Sequence, residues 1–575
     1  MRPIHKQLLE SLSIWSASDG KKPSGRGRAS YDLDKVYGIS KLRLLITRLA
    51  LGGALCDQLI HDEPSDLLVE RIRSLKFELS GEGKKKFTKD DLITLSNQCT
   101  LPVGWSLVRL GDIVISQAGF AFNSNGFNEN GRGMPLIRIR DVGQAFTGTY
   151  YEGEYRQEFI VNKGDYLISM DGEFRVAKSE LDSALLNQRV SRLIFFGDEI
   201  SKEFIALALQ VQLTKLQGTK SYTTVDHLSG RQISDAIIAL PPKDEQDRIM
   251  EKFAKLTILC DELEGKYAKS SITYKIMSKN FLDELIASIG TSKNKECWRK
   301  ISTSFEILFG TQNSIQELKR TLLELALMGR LAPQRDDEDS AIQLLKEIDD
   351  EKSRLVSAGL IKKGRPLPII SENERIFPLP RGWEWARLQT VIDVRDGTHD
   401  SPKESMDANS FPMVTSKDFS GGEINFGEAK RISAADHEES AKRSFVEKFD
   451  ILFSMIGGNI GNQVMVTTDQ PFSIKNVALF KYYNRELTNP FFIKKYSEYL
   501  ASKLQSSAVG GAQPFVSLGQ LRALVIALPP KQEQRRIVEK LDQLLLLCDK
   551  LENYLKEANQ LKKKIADALV EQALV

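Results

Sequence analysis

Two ten-residue stretches decide how this 575-residue chain is organised: Leu240–Ile249 reads LPPKDEQDRI and Leu528–Ile537 reads LPPKQEQRRI. In both, a Pro-Pro pair precedes a long amphipathic pattern. Proline is tolerated where a helix begins, because the first backbone N–H groups of a helix have no intrahelical partner. The repeat therefore predicts two equivalent long helices, one in the middle of the chain and one at its end.

Three further blocks recur in the same order and show that a long unit occurs twice. One block is LPxGW, and a second block further along contains a predicted strand. The third block is a helical segment that precedes the other two. A period near 280 residues indicates a duplicated domain rather than a solenoid, whose repeats are much shorter. The pairs are Leu101–Trp105 with Leu379–Trp383, Lys163–Met170 with Lys448–Met455, and 42–55 with 318–331.

The residues after each Pro-Pro pair follow a heptad pattern. Apolar positions alternate at spacings of four and three over more than four heptads, which is the seam of a coiled coil. A helix of roughly 40 residues is about 60 Å long, and so narrow a stripe needs a partner. We expect the two helices to pair, with the chain direction favouring an antiparallel pair. The predicted seams are Ile249, Phe253, Leu256, Cys260, Leu263, Tyr267, Ser270, Tyr274, Met277 and Phe281, and Ile537, Leu541, Leu544, Cys548, Leu551, Leu555, Ala558, Lys562, Ile565 and Leu569.

Between the opening and closing blocks, short β-rich runs alternate with Gly, Asn and Asp, and a helix follows in each copy. The predicted helices lie near 202–216 and 490–503, and residues 18–37 and 290–300 are predicted linkers. The fold class is α+β, with two α/β domains separated by long antiparallel coiled-coil-like helices in an internal two-fold duplication. The predicted strands are 135–140, 165–170 and 190–196 in the first copy and 450–455 and 476–480 in the second.

Composition excludes several classes of protein. With 41% hydrophobic and 27% charged residues the chain is ordinary globular material. It has no run of 18 apolar residues and no apolar signal-peptide core at its start, so a cytoplasmic location is expected. Five cysteines form no C-x-x-C pair and five histidines form no H-E-x-x-H, which argues against a disulfide framework or a metal enzyme.

Charge does not indicate a partner. The net charge is +3, residues 101–242 hold 14 basic against 16 acidic residues, and residues 379–530 hold 17 against 17. Neither segment is basic enough to predict nucleic-acid binding by bulk charge. Any expectation about DNA must therefore come from other features.

Two globules that each open with LPxGW and close with LPPxxEQxxI into a long helix resemble the specificity subunit of type I restriction-modification systems. The resemblance covers the chain from about residue 38 to its end, and 332–375 resemble the family's central conserved region. Two places depart from the family. Cys56-Asp57-Gln58 stands where a Val-Pro-Gln-like turn is usual, and residues 1–37 have no obvious counterpart.

This resemblance implies a recognition subunit without chemistry of its own. Each globule would read one half of a split, asymmetric DNA sequence. The helices would act as a spacer ruler and dock two methyltransferase subunits, which translocase-nuclease (restriction) subunits then join. S-adenosylmethionine, ATP and Mg²⁺ are expected only on those partners, and no membrane contact is expected. The implied segments are 1–37 (N-terminal extension), 38–100 (conserved helical region), 101–242 (target-recognition domain 1), 243–378 (central helical region with the spacer helix), 379–530 (target-recognition domain 2) and 531–575 (C-terminal helix).

The motifs agree with the absence of catalysis. No G-x-x-x-x-G-K-S/T loop occurs, so no ATPase is expected. Gly457–Gly461 followed by Asn489–Phe492 loosely resembles a methyltransferase cofactor loop with its N-P-P-F motif. The second proline is missing, and a strand rather than a helix is predicted to follow the glycines, so a fused methyltransferase is disfavoured. A two-headed protein-binding scaffold with no nucleic-acid role remains the alternative, and the charge balance mildly favours it.

Candidate DNA contacts follow from residue type and placement. Arginine suits bidentate contact with guanine, and Gln and Asn suit adenine. Arg138 and Arg140 are predicted on one strand face, and Thr398 and His399 lie in a G-T-H loop similar to one in family members. A plain solvated surface role is the alternative for each candidate, and catalytic and metal-binding residues are expected to be absent. The candidates are Arg138, Arg140, Gln188, Arg189, Arg192, Lys220, Tyr222, Thr398, His399, Ser416, Lys417, Lys475, Asn476 and Gln513.

Overall fold

The structure, a computed structural model, describes residues 12–17, 36–80, 101–218, 227–289, 291–335, 337–457, 460–507 and 515–572. The chain forms two compact units. The first comprises residues 1–270 and 558–575, and the second comprises 271–557. Each unit contains one mixed segment, the beginning of one long helix and the end of the other. This division is coarser than the six predicted segments, whose boundaries stay predictions.

Sixteen α-helices occur among the described residues. They include both predicted long helices, which begin directly after the Pro-Pro pairs, and the helix predicted in each mixed segment. None of these described helices is long and apolar enough to cross a membrane. The helices are α1 Leu12–Trp15, α2 Tyr37–Leu51, α3 Ser65–Ser80, α4 Leu110–Ile113, α5 Lys202–Gly218, α6 Gly230–Ser234, α7 Lys243–Ala287, α8 Asn294–Thr303, α9 Phe305–Leu308, α10 Gln312–Leu327, α11 Ala341–Ser357, α12 Leu388–Val391, α13 Ala434–Ser444, α14 Pro490–Ser507, α15 Leu518–Ala523 and α16 Lys531–Gln572.

The first globule contains three sheets. A short antiparallel pair, β1–β11, closes its base, and the other sheets have the orders β2-β10-β7-β8 and β3-β5-β4-β9-β6. Within the last sheet, β4 and β9 run parallel. The strands are β1 Ser106–Arg109, β2 Val114–Ala118, β3 Phe127–Asn128, β4 Met134–Ile137, β5 Tyr150–Tyr151, β6 Ile160–Val161, β7 Tyr166–Ser169, β8 Val176–Lys178, β9 Ala184–Leu186, β10 Val190–Phe195 and β11 Ile237–Leu240.

The second globule repeats this plan. It has the base pair β12–β22, a sheet of order β13-β21-β18-β19, a sheet of order β17-β14-β20 in which β14 and β20 are parallel, and a β15–β16 pair. The duplication predicted from the sequence is thus present in the sheet topology. The strands are β12 Glu384–Arg387, β13 Asp393–Asp396, β14 Phe411–Val414, β15 Phe419–Ser420, β16 Glu423–Ile424, β17 Lys430–Ile432, β18 Ile451–Ser454, β19 Gln463–Met465, β20 Ser473–Ile474, β21 Val477–Lys481 and β22 Val525–Leu528.

The repeated motifs meet in a buried hydrogen bond at the base of each globule. The indole Nε1 of Trp105, from LPxGW, donates to Glu245 Oε2 of LPPxxEQ at 3.0 Å. In the second copy Trp383 donates to Glu533 Oε2, also at 3.0 Å. A buried indole N–H needs an acceptor, and here the acceptor is the glutamate in the first turn of the long helix. The two ends of each mixed segment are therefore joined at one point.

The long helices share cores in the order that antiparallel pairing requires. In the first unit, Leu256 near the start of α7 belongs to the same hydrophobic core as Val570 near the end of α16. In the second unit, Leu285 near the end of α7 belongs to the same core as Leu541 near the start of α16. The beginning of each helix is thus buried with the end of the other.

The predicted seam is wrong in the last part of each helix. Tyr274 and Met277 are 40% and 37% exposed, and Ile565 is 37% exposed, whereas Leu282 and Ala566 are buried. A straight helix drifts about 20° per heptad relative to a strict seven-residue repeat, so about five heptads accumulate one residue of offset. The buried stripe therefore moves by one residue along each helix.

The predicted linker at 290–300 is also wrong over most of its length. Helix α8 spans Asn294–Thr303, and Cys297 and Ile301 are buried in the core of the second unit. Charged residues dominate this stretch, but the two apolar side chains lie four apart and so occupy one helix face. Most of the other predicted linker, 18–37, lies outside the described residues.

Candidate nucleic-acid interface

A cleft of about 510 Å³ in the second globule gathers four of the predicted contact residues. It lies where β14, the turn after β14 and the turn between β20 and β21 come together. Three lysines and several hydroxyl groups line it, which suits contact with phosphates and base edges. The lining residues are Ser401, Pro402, Met413, Thr415, Ser416, Lys417, Lys430, Ile456, Gly457, Lys475 and Asn476.

The turn after β14 presents Ser416 and Lys417. The backbone N–H of Thr415 donates to Asp418 Oδ2 at 2.7 Å, and the Thr415 side chain accepts from the backbone N–H of Lys417. This reciprocal cap fixes a single turn of 3-10 helix over Ser416–Asp418. Lys417 is left exposed at the mouth of the cleft.

The second turn carries Lys475 and Asn476. Lys475 continues from β20 and forms a parallel bridge with Thr398, while its Nζ donates to Ser401 Oγ. Asn476 has a φ of 55°, a left-handed conformation that asparagine adopts more readily than most residues. Thr398 itself is buried and does not line the cleft, so its contribution is the backbone bridge to Lys475.

His399 joins this turn to an acidic residue. Its Nδ1 lies 3.1 Å from Asn476 Oδ1, and its Nε2 lies 2.9 Å from Asp396 Oδ2. The hydrogen bond with Asn476 and the negative charge of Asp396 raise the pKa of His399. The Nη2 of Arg443 also lies 3.5 Å from Asp396 Oδ2. The imidazole ring is 60% exposed despite these contacts.

The first globule has the same turn after β4. The backbone N–H of Arg138 donates to Asp141 Oδ2 at 2.8 Å, so Asp141 corresponds to Asp418 and Arg140 to Lys417. Ser416-Lys417 of the second globule is therefore equivalent to Ile139-Arg140 of the first. Arg140 is exposed, as Lys417 is.

The prediction that Arg138 and Arg140 share a strand face is wrong. Strand β4 ends at Ile137, because the cap formed by Asp141 turns the chain into a 3-10 helix. The guanidinium of Arg138 donates to the buried Thr149 Oγ1, and burial lowers the pKa of Arg138. Arg138 thus supports the turn, and Arg140 faces solvent.

Gln188 and Arg189 form the tip of the turn between β9 and β10 and are both exposed. This turn corresponds to Lys475-Asn476, since Asn187 forms the parallel bridge with Phe120 that Lys475 forms with Thr398. Asp171 contacts Arg189 Nε at 3.3 Å through Oδ2 and His227 Nδ1 at 2.6 Å through Oδ1.

Arg192 holds the sheets together. Its guanidinium donates to Gln117 Oε1 at 2.6 Å and to the backbone carbonyls of Ile160 and Glu158 at 2.5 Å and 2.9 Å. The Arg192 side chain is only 15% exposed. Arg192 therefore makes its hydrogen bonds within the globule and leaves little of its guanidinium exposed to a ligand. Lys220, Tyr222 and Gln513 lie outside the described residues.

Sequence reasoning missed several residues at these two sites. No local pattern marks them, because their partners lie between 3 and 56 positions away along the chain and meet only through the sheets. A search restricted to carboxylates and imidazoles near the predicted turns would have found some of them, since the chain has only five histidines. The missed residues are Asp171, His227, Asp396, Lys430 and Arg443.

Comparison with known proteins defines the class to which this chain belongs. The family model of the type I restriction modification DNA specificity domain matches twice, over residues 102–273 and 380–563. The two matches coincide with the two copies seen in the sequence and in the sheets. The chain belongs to this family, which favours DNA-sequence recognition over the protein-binding scaffold.

Individual relatives extend over the whole chain. It is 30% identical to the type I restriction enzyme EcoAI specificity subunit of Escherichia coli, covering 99% of this chain and all of the relative. It is 28% identical to the EcoEI specificity subunit of the same organism over the same shares. The HsdS subunit from Thermoanaerobacter tengcongensis, a crystal structure, aligns with a TM-score of 0.42 at 16% identity over 83% of this chain and 98% of that chain.

Proposed function

We propose that this chain is a non-catalytic subunit that reads a bipartite, asymmetric DNA target, with one half-site for each globule. The observation that carries the proposal is the equivalence of two exposed turns in both globules. Arg140 and Lys417 occupy one position, and the other turn carries Gln188 and Arg189 in the first globule and Asn476 in the second. The strands that hold the turns correspond, while the side chains and the length of the second turn differ, as two readers of different sequences require.

The side chains at these positions suit two kinds of DNA contact, one with phosphates and one with base edges. Exposed Arg140 and Lys417 are placed to contact phosphates, which fix register without reading sequence. Gln188, Arg189 and Asn476 are of the types that make specific contacts with base edges in the major groove. Recognition then depends on a few side chains on rigid turns, and not on bulk positive charge.

Two matched apolar surfaces support the docking of two methyltransferase subunits. Ile258 and Leu259 on α7 are 57% and 42% exposed, and Leu546 and Leu547 on α16 are 55% and 58% exposed. The pairs are separated by 288 residues, the offset of the closing motif, and each precedes a buried cysteine on its helix. Exposed apolar side chains repeated at equivalent positions fit two copies of one partner.

Catalysis belongs to the partners in this proposal. Methyl transfer with S-adenosylmethionine and ATP-driven restriction with Mg²⁺ would take place on the methyltransferase and restriction subunits. The chain's sequence supports this division, because it has neither a phosphate-binding loop nor a complete methyltransferase motif.

A gel-shift experiment with the methyltransferase subunit present tests the proposal. The complex should retain a duplex carrying the target, identified by methylome sequencing of cells with the complete system. Duplexes with either half-site scrambled should compete at least about tenfold less well, since each mismatch typically costs 1–3 kcal/mol. Equal competition by every duplex would favour a scaffold without a nucleic-acid role.

A further inference from the structure

A carboxylate and an imidazole stand beside the tip of the same turn in both globules. In the second globule they are Asp396 and His399, next to Asn476. In the first they are Asp171 and His227, next to Arg189. Two of the chain's five histidines therefore lie beside corresponding turns. Each of these turn tips is a proposed base contact.

The two pairs come from positions that do not correspond. Asp171 and His227 form a backbone bridge whose counterpart in the second globule joins Ile456 and Phe515. A carboxylate and an imidazole are thus not needed to build that bridge, because an isoleucine and a phenylalanine build it in the other copy.

Comparing Asp396 with its counterpart in the first globule shows the same lack of correspondence. Asp396 pairs with Ala478 in the strand register, just as Ala118 pairs with Ser191 in the first globule, so Ala118 stands where Asp396 does. Neither pair is a requirement of the shared fold. What the two pairs have in common is the turn residue that they hold.

In the second globule the geometry orients an amide. Both ring nitrogens of His399 face oxygen atoms, Oδ1 of Asn476 and Oδ2 of Asp396, so the ring donates on both sides when it carries two protons. Asn476 Oδ1 is then occupied as an acceptor, and its Nδ2 donors are left for a ligand. The charged groups that face His399 are Asp396 from the end of β13 and Arg443 from α13.

In the first globule the geometry orients a guanidinium. Asp171 Oδ2 forms an ion pair with Arg189 Nε at 3.3 Å, and Asp171 Oδ1 lies 2.6 Å from His227 Nδ1. His227 Nδ1 also lies 3.1 Å from Arg189 Nη1. With Nε beside the carboxylate and Nη1 beside the imidazole, the Nη2 donors of Arg189 remain for a ligand. Both turns thus offer N–H donors, which suit the N7 and O6 acceptors on the major-groove edge of a purine.

We propose that these two carboxylate–imidazole pairs are positioning residues for DNA reading, each holding one turn residue so that its N–H donors meet an acceptor on a base edge. The inference rests on the proposed function and deepens it. It assigns His399 and Asp396 to the half-site read by the second globule, and His227 and Asp171 to the half-site read by the first.

The test measures competition by duplex libraries, randomised in one half-site at a time, for the complex of the full chain with its methyltransferase subunit. His399→Ala should lower discrimination at one or two positions of the second half-site by about 5- to 100-fold and leave the first half-site as in the wild type. His227→Ala should do the reverse, so each variant is the control for the other. His61→Ala, an exposed histidine outside both globules, should change neither half-site.

A pH series separates positioning from a merely structural role. In the wild type, discrimination at the second half-site should fall as the pH rises and His399 loses its second proton. His399→Gln should abolish that dependence, because glutamine does not titrate. The His399→Gln complex at each pH is the reference for the wild type, because the partner's own response to pH is the same in both complexes.

The outcomes distinguish the positioning role of the two histidines from the proposed function on which it rests. If the wild-type complex discriminates both half-sites and the His399→Ala and His227→Ala variants discriminate equally well, the positioning role is overturned while the proposed function stands. If a variant binds its unaffected half-site normally, it is folded, and a loss at the other half-site supports the proposal. A wild-type complex without any sequence preference would overturn both.

Discussion

The two globules share one backbone plan and differ at its exposed edge. Both have a parallel strand pair, a capped turn after the first strand of that pair and a tight turn after the second. On this common frame the first globule places arginines, and the second places lysine, asparagine and histidine. Fold and specificity are thus carried by different residues, so the exposed edge can change while the buried core stays the same.

The largest expected effect comes from exchanging a whole globule. Replacing residues 101–242 with the equivalent segment of another family member should change one half-site completely and leave the other intact, because each globule has its own opening and closing motifs. Methylome sequencing of cells that carry the hybrid system measures both half-sites together. A change in both halves would show that the globules do not read independently.

The two methyltransferase subunits should be lost one at a time when the two apolar surfaces are changed in turn. Changing Ile258 and Leu259 to glutamate places charges on one of the two matched apolar surfaces, and it should reduce the bound methyltransferase from two subunits to one. Changing Leu546 and Leu547 should do the same at the other surface, and all four changes together should abolish binding. Native mass spectrometry of the purified complexes gives the count. Two bound subunits in the fourfold variant would place the interface elsewhere.

Two arginines of the first globule should behave oppositely. Arg192→Met removes hydrogen bonds to Gln117 and two backbone carbonyls, so it should lower the free energy of unfolding by about 1–3 kcal/mol without changing the half-site read. Arg189→Ala should cost about 1–3 kcal/mol of base discrimination and little stability. Thermal unfolding and library competition measure the two effects. A change of half-site preference in Arg192→Met would make that residue a reader.

The smallest expected effect is the pH dependence of stability that comes from the two buried glutamates, Glu533 and Glu245. Burial raises the pKa of Glu533 to about 7 and also raises that of Glu245. Because the folded-state pKa of Glu533 exceeds the unfolded value of about 4.5, its contribution is fully present below pH 4.5 and is lost as the pH rises towards 7.

Glu533→Gln keeps an acceptor for Trp383 and removes this titration. The free energy of unfolding of Glu533→Gln relative to the wild type should therefore rise between pH 5 and pH 8 by on the order of 1–3 kcal/mol. Tm values of both proteins across this pH range measure the change. Glu245→Gln is the matched variant in the first unit and should shift in the same direction. A Tm difference that is independent of pH would mean that Glu533 is ionised throughout this range.

Much of the architecture follows from local pattern. The heptad repeat and the Pro-Pro pairs predict α7 and α16 to within a few residues, because helical periodicity and proline's missing N–H are properties of the neighbouring sequence. Four of the predicted contact residues, Ser416, Lys417, Lys475 and Asn476, line one cleft, and their role as DNA contacts stays a prediction. The predicted seam residues are wrong in the last part of each helix because a small angular drift accumulates with helix length.

The duplication, the two long helices, the two mixed domains and the family can all be predicted from the sequence alone. Which polar side chains stay exposed for a ligand depends on contacts that form only in the folded chain. Arg138 and Arg192 have the same chemistry as Arg140 and Arg189, and nothing adjacent in the sequence separates them. The difference lies in Thr149 and Gln117, which reach Arg138 and Arg192 through the sheets from 11 and 75 positions away. A guanidinium buried among such acceptors uses its N–H donors in hydrogen bonds within the fold, whereas one at a turn tip keeps donors for a ligand.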